Sequence, residues 1–292
     1  MKITLHIRQL CLLLTCLFTL QTLSAQDYDA PGSNLYATEN KAGDTLTILA
    51  DTTFLRDQPA ASGKILQQLP NGTQVVFVKE AHRQRMKGFS ANWIRVRVAG
   101  DSNQEGFIWK GLTTLGCCNN GNTRFLYGLD RVVNVKKDDV ERWDCMVRLK
   151  VVNNENKKLA DVSWPLKSSE ATSFSSGKLL TGSMGLEGLT HIVRIYFSGE
   201  ACGIPDDYFY FGWTGAELLP LPGKMHIADA GVYYHSETLL FPSESGGKPG
   251  HIIKLIEEEE ALDEMDKDGE PKMKKTSSGE QYKWDGRKAV KL

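Results

Sequence analysis

The residues best suited to chemistry in this chain are a cysteine and a histidine. A cysteine nucleophile needs a thiolate beside a base that takes its proton. Asp144-Cys145 and the run His191-Ile192-Val193-Arg194-Ile195-Tyr196 supply those two residue types. Cys145, however, leads into Met146-Val147-Arg148-Leu149, which reads as a strand. No helix start follows to lower the thiol pKa, and a cysteine in such a run belongs to a core or a disulfide. Asp266-Lys267-Asp268-Gly269-Glu270 offers a second chemistry, since alternate carboxylates converge on calcium and glycine permits the sharp turn. Read as an EF-hand the loop starts at Glu264, and Lys275 stands where a bidentate glutamate is required. The EF-hand reading fails, leaving a looser calcium site or a plain acidic loop. His82, His226, His235 and His251 are scattered, without metal spacing to one another or to a cysteine. No glycine-rich phosphate loop is present, and no cofactor or metal is expected.

The elements that would position these residues begin after an export signal. Lys2 and Arg8 precede the apolar LCLLLTCLFTL, and Leu23-Ser24-Ala25 ends in a small residue. Residues 1–25 therefore read as a cleaved signal peptide, which implies a periplasmic or secreted protein beginning at Gln26. No later apolar run reaches membrane-spanning length, so no span is expected in the mature chain. Losing Lys2 and Arg8 takes the formal charge from −1 to −3, which argues against nucleic acid as a partner. Of the six cysteines, Cys11 and Cys16 leave with the signal, so Cys117, Cys118, Cys145 and Cys202 remain. An even number in an exported chain makes all four disulfide candidates, with the pairing open.

Residues 26–44 lack periodicity and read as a flexible leader. From 45 to 115 the chain is short strands and turns. Pro59 and Pro70-Asn71-Gly72 mark turns, and the polar stretch KEAHRQRMKGFSAN reads as a loop. In WIRVRV, Ile94, Val96 and Val98 share the face expected to be core, while Trp93, Arg95 and Arg97 share the other. Phe107 and Trp109 likewise lie opposite Ile108. These rings either pack under the polar loop or form a ligand-binding groove of Trp93, Phe107 and Trp109, with Arg95 and Arg97 available to carboxylates.

Phe54-Leu55-Arg56 with Pro59, Leu69-Pro70-Asn71-Gly72-Thr73 with Val75, Trp93 to Val96, and Gly106-Phe107-Ile108 resemble the pattern of a bacterial SH3 domain. Phe107 stands where that family usually has tryptophan. The resemblance implies a small β-barrel that binds a peptidoglycan stem peptide or an extended segment of an envelope protein. Bacterial SH3 domains often precede cell-wall cysteine peptidases of the NlpC type. His191 to Tyr196 resemble that family's histidine strand, but Cys145 lacks the Ser-Gly that follows its nucleophile.

Residues 116–292 stay β-rich, so an all-β chain is expected: a small barrel, then a larger sandwich or propeller-like domain. FGWTGAELLPL and YKWDGRKAVKL repeat an aromatic-x-Trp-x-Gly hairpin. This region resembles uncharacterised β-rich domains of Bacteroidota-type exported proteins. Residues 257–275 carry nine acids against four lysines and read as an acidic loop or hairpin extension. The favoured function is non-catalytic binding in the cell envelope. The alternatives are a peptidase using Cys145 and His191, or a structural assembly protein.

Overall fold

The computed structural model describes residues 30–101, 104–137, 140–167, 171–265, 267 and 269–292. Residues 1–25, read as a signal peptide, lie outside the described residues, as do Asp266 and Asp268 of the calcium reading. The fold is all-β, as expected. Among the described residues no helix is long and apolar enough to cross a membrane.

The first sheet contains β1 (Thr45–Thr47), β2 (Thr52–Arg56), β3 (Ile65–Pro70), β4 (Gln74–Met86), β5 (Phe89–Val98) and β6 (Glu105–Trp109), in the order β1-β4-β5-β6-β2-β3. Alternation decides its inner face. Leu55, Val75, Phe77, Ile94, Val96 and Ile108 point inward with Ile48 and Leu69 and form a closed apolar cluster. Each such side chain contributes about 1.5–3 kcal/mol by leaving water. The Asn71-Gly72 turn works because Gly72 adopts φ 76, in the left-handed region that most side chains avoid. A Cβ there would also meet Asn156 Oδ1 at 2.5 Å.

The stretch KEAHRQRMKGFSAN is not a loop. It continues β4 and β5 as a long hairpin arm that turns at Lys87-Gly88, both with positive φ. Its polar sequence hides the alternation, yet Phe89 and Ala91 on the arm are fully buried. The second sheet receives it: β7 (Gly116–Asn120), β8 (Thr123–Lys137), β9 (Val140–Asn153) and β10 (Lys158–Leu166), in the order β10-β9-β8-β7. At the arm's tip the Val132 N–H donates to Lys87 O at 2.8 Å.

The third sheet is an eight-stranded antiparallel meander in sequence order. It comprises β11 (Phe174–Leu179), β12 (His191–Ser198), β13 (Asp206–Trp213), β14 (Leu218–Asp229), β15 (Tyr233–Leu240), β16 (His251–Met265), β17 (Pro271–Trp284) and β18 (Ala289–Lys291). One face packs on the second sheet as a sandwich, with Phe211 4.6 Å from Trp164, Trp213 6.0 Å from Phe125 and Phe197 6.4 Å from Tyr127. The other face holds a separate core of Ile192, Tyr210, Leu221, Leu239, Ile252 and Trp284. Both repeated motifs form hairpins, with Gly215 and Gly286 at positive φ. The acidic stretch is the β16–β17 hairpin: Glu259 and Glu260 lie opposite Lys275 and Lys274.

Residues 30–37, within the segment read as a flexible leader, pack into the seam between sheets. Leu35 and Tyr36 are buried, and Tyr36 donates from its hydroxyl to Thr113 O at 2.9 Å. An ion-pair network clamps the first sheet to the second from the other side. Lys150, with its side chain fully buried, reaches Asp51 at 2.9 Å, while Arg148 bridges Asp51 at 3.0 Å and Asp161 at 2.6 Å. Hydrogen bonds and charge from Lys150 and Arg148 overcome desolvation, the largest single influence, and bring the Asp51 carboxyl down to about 2.

A folded-state pKa below the unfolded value means that ionised Asp51 stabilises the fold above about pH 4. That stabilisation is lost as pH falls from about 4 to about 2. Asp51→Asn should cost about 1–2 kcal/mol at pH 7. Breaking a buried pair costs about 3–5 kcal/mol, and the figure is reduced here because Asp51 is half exposed. Urea melts between pH 2 and pH 7 check both points: the variant should lose part of the wild-type acid dependence.

Candidate functional site

The outer face of β5 and β6 carries the residues expected to form a groove. Cross-strand pairing sets Trp93 against Trp109, Arg95 against Phe107 and Arg97 against Glu105. The two tryptophans are almost wholly buried, at 3% and 0% exposure, and belong to the core shared by all three sheets. Trp93 Nε1 donates to Gln84 Oε1 at 2.5 Å, and Trp109 Nε1 donates to Ala91 O at 3.0 Å. Both indole N–H groups are thus satisfied on the β4–β5 arm, which packs over the rings. Phe107 is half-buried, Arg95 is paired with Glu105, and Arg97 is exposed.

What remains open is a notch beside the tryptophans. A cavity of about 100 Å³ is bounded by Trp93, Trp109, Phe54, Met86, Leu112 and Arg56. A water needs only about 10–15 Å³ on this measure, so the notch has room for a small apolar side chain. Phe54 and Arg56 reach it because Leu55 between them turns inward, and the Arg56 guanidinium lies 5.6 Å from the Phe54 ring centre. Arg56 Nη1 also donates to Gly63 O at 2.6 Å, which fixes the rim. Phe54, Arg56 and Met86 were missed as site residues. The alternation in TTFLR was a usable signal for the first two, whereas nothing local to Met86 placed it there.

The cysteine expectations need correction. No disulfide joins any two of the four described cysteines. Strand order explains this, because β8 lies between β7, which bears Cys117 and Cys118, and β9, which bears Cys145. Cys118 lies opposite Phe125, and Cys145 lies opposite Val132, seven residues along β8. That is roughly 23 Å along the strand, against a limit near 7 Å between bridged Cα atoms. Cys202 is exposed on the β12–β13 connection. Burial pushes the Cys118 thiol up to about 11.

The structure does not bring Cys145 and His191 together either. Cys145 is fully buried in the middle of β9. His191 opens β12, as its sequence suggested, and its Nε2 lies 3.0 Å from Asn120 Nδ2. Asn120 pairs with Thr123, and Thr123 with Asn153 at the far end of β9, roughly 26 Å from Cys145. Among the described residues, no group of three or more His, Cys, Asp or Glu side chains is arranged to hold a metal. His235 is instead engaged by Glu258 at 2.9 Å.

No protein-family model, curated protein or solved structure matches the chain. Two outcomes follow from the geometry. Trp93→Ala should destabilise the protein by about 3–5 kcal/mol in urea melts, as for other buried aromatics, while Arg97→Ala should leave the midpoint unchanged. Thiol titration of the native protein should label Cys117 and Cys202 rapidly and Cys118 slowly, with Cys145 reacting only after denaturation.

Proposed function

We propose that this chain is an exported, non-catalytic binding protein of a Gram-negative cell envelope. Its first sheet, read as a bacterial SH3-like module, takes an extended peptide, either a peptidoglycan stem peptide or a segment of an envelope partner. The observation that carries this reading is the notch of Trp93, Trp109, Phe54 and Met86 with Arg56 at its rim. Rings held rigidly by the core lose little entropy when a ligand arrives. An apolar floor with a cation at the edge suits a short side chain followed by a carboxylate.

The neighbouring edge supports an extended ligand. Among the described residues β3 pairs only with β2 and its outer backbone groups have no strand partner, and Ile65 and Leu66 are about half exposed. Ile65 lies opposite Arg56, which places this edge beside the notch. An extended segment can add to such an edge while one side chain enters a pocket. The export reading rests on the N-terminal pattern of Lys2, Arg8, the apolar run and Ala25.

A pull-down on purified peptidoglycan, with envelope extract as a parallel bait, tests the proposal. Phe54→Ala and Arg56→Ala should each reduce retention about tenfold. Met86→Trp should block it by filling the notch. Each variant must melt within about 1 kcal/mol of wild type, as expected for partly exposed positions. Retention equal to wild type in all three folded variants would remove the notch from the function.

A further inference from the structure

The third sheet carries a second site, independent of the notch. On the face that holds the Ile192 cluster, Tyr196 and Tyr208 stand side by side with ring centres 4.6 Å apart, and Phe174 packs edge-on to Tyr196 at 6.0 Å. Two cations converge on Tyr208: Lys224 Nζ lies 4.7 Å from the ring centre and the Arg194 guanidinium 5.7 Å. Neither forms a salt bridge with a carboxylate among the described residues.

The nearby acids are already committed. Glu237 accepts from Lys254 Nζ at 2.9 Å and from the Met225 N–H at 2.8 Å, while Glu244 accepts from the Phe241 N–H at 2.8 Å. Two like charges therefore share one ring with no carboxylate in direct contact, although Glu237 and Glu244 act on Lys224 from farther off. Burial first, and the charge of Arg194 second, push the Lys224 ammonium pKa down. Cation–π contact offsets only part of that cost. An anion between the two would remove the repulsion and make charge-assisted hydrogen bonds.

The surroundings narrow the class of anion. Phe174 is 42% exposed and offers a ring on which another ring can stack. Tyr196 and Tyr208 add hydroxyls, and Asp206, which acts on both electrostatically, adds an acceptor. Aromatic surface, hydroxyl partners and an acceptor beside a cation pair match a polyhydroxylated ring with one carboxylate. The geometry points to a binding site for an acidic oligosaccharide of the uronate type, the carboxylate of one unit between Arg194 and Lys224 and the ring of a further unit against Phe174.

Calorimetry on the mature chain, with tri-galacturonate, maltotriose, trialanine and a single-stranded oligonucleotide as probes, tests this. Wild type should bind tri-galacturonate at least about tenfold more tightly than the other three. The double variant Arg194→Gln/Lys224→Gln should lose about tenfold or more in affinity with an unchanged melting temperature, and Phe174→Ala should weaken binding as well. Should the double variant melt early, Lys224→Met keeps the stem over Tyr208 and reads the same loss. Phe54→Ala should leave this binding intact, so failure here and failure of the notch are distinguishable. Absence of tri-galacturonate binding, equal binding of any other probe, or a folded cation variant that binds like wild type would overturn the assignment.

Discussion

Everything else in the molecule depends on the apolar seam into which the β4–β5 arm inserts. Phe89 on the arm lies 4.9 Å from Trp109 of β6 and 5.6 Å from Tyr36 of the N-terminal segment. From this stack one continuous core runs through Phe125, Tyr127, Leu149 and Trp164 to Val193, Phe197 and Trp213. The first sheet is therefore not an independent bead on a linker. Its own small core is closed by Ile48, Val75 and Ile94, but the face bearing Trp93 and Trp109 is completed by the rest of the chain. A sheet this small buries little surface alone, so the seam couples its stability to that of the other two sheets.

Polar contacts give that seam its register. An apolar interface tolerates sliding, whereas a buried charge does not, because displacement leaves it unpaired in a low dielectric. Lys150 can be buried only while Asp51 and Leu49 O stand where the first sheet puts them. Lys110, also buried, donates to Thr38 O at 2.5 Å and so ties down the N-terminal segment. Asn71 Nδ2 donates to Asn156 O at 2.7 Å across the same boundary. These contacts add little net energy but penalise every alternative docking.

The legible parts of the fold were those written in short-range alternation. Ile94 and Val96 inward with Trp93 outward, and the two Trp-x-Gly hairpins, follow from a period of two and from glycine at positive φ. The arm was illegible because Glu80, His82, Arg83, Arg85 and Lys87 make a strand look like a loop. Its apolar members, Ala81, Met86 and Phe89, gain meaning only from a partner sheet distant in sequence. The burial of Leu35 and Tyr36 was hidden for the same reason. Cysteine pairing failed differently: parity of number suggested bridges, but strand order separates Cys145 from Cys117 and Cys118. At the notch, the rings were legible but Met86 was not, since two bulges in the β4–β5 ladder set where the arm delivers it.

The third sheet shows how a repeated hairpin can shape a site without touching it. Thr214 and Asp285 each close their turn by accepting backbone N–H groups two and three residues on, and Arg287 of one turn pairs with Glu217 of the other. Trp284 donates to Glu187 O at 2.9 Å, which draws the last hairpin onto the connection preceding β12. Leu186 and Leu189 of that connection pack with Trp284 and Ile192 in the core of this face. The opposite ends of β11 to β14 stay paired but change in residue type. There the same face carries Phe174, Tyr196, Tyr208 and Lys224, an exposed ring, two half-buried rings and a cation where the sealed end has Ile192, Leu221 and Trp284. A sheet that needed only a core would continue its apolar pattern to both ends. The change of residue type along the same face marks where packing stops dictating the sequence.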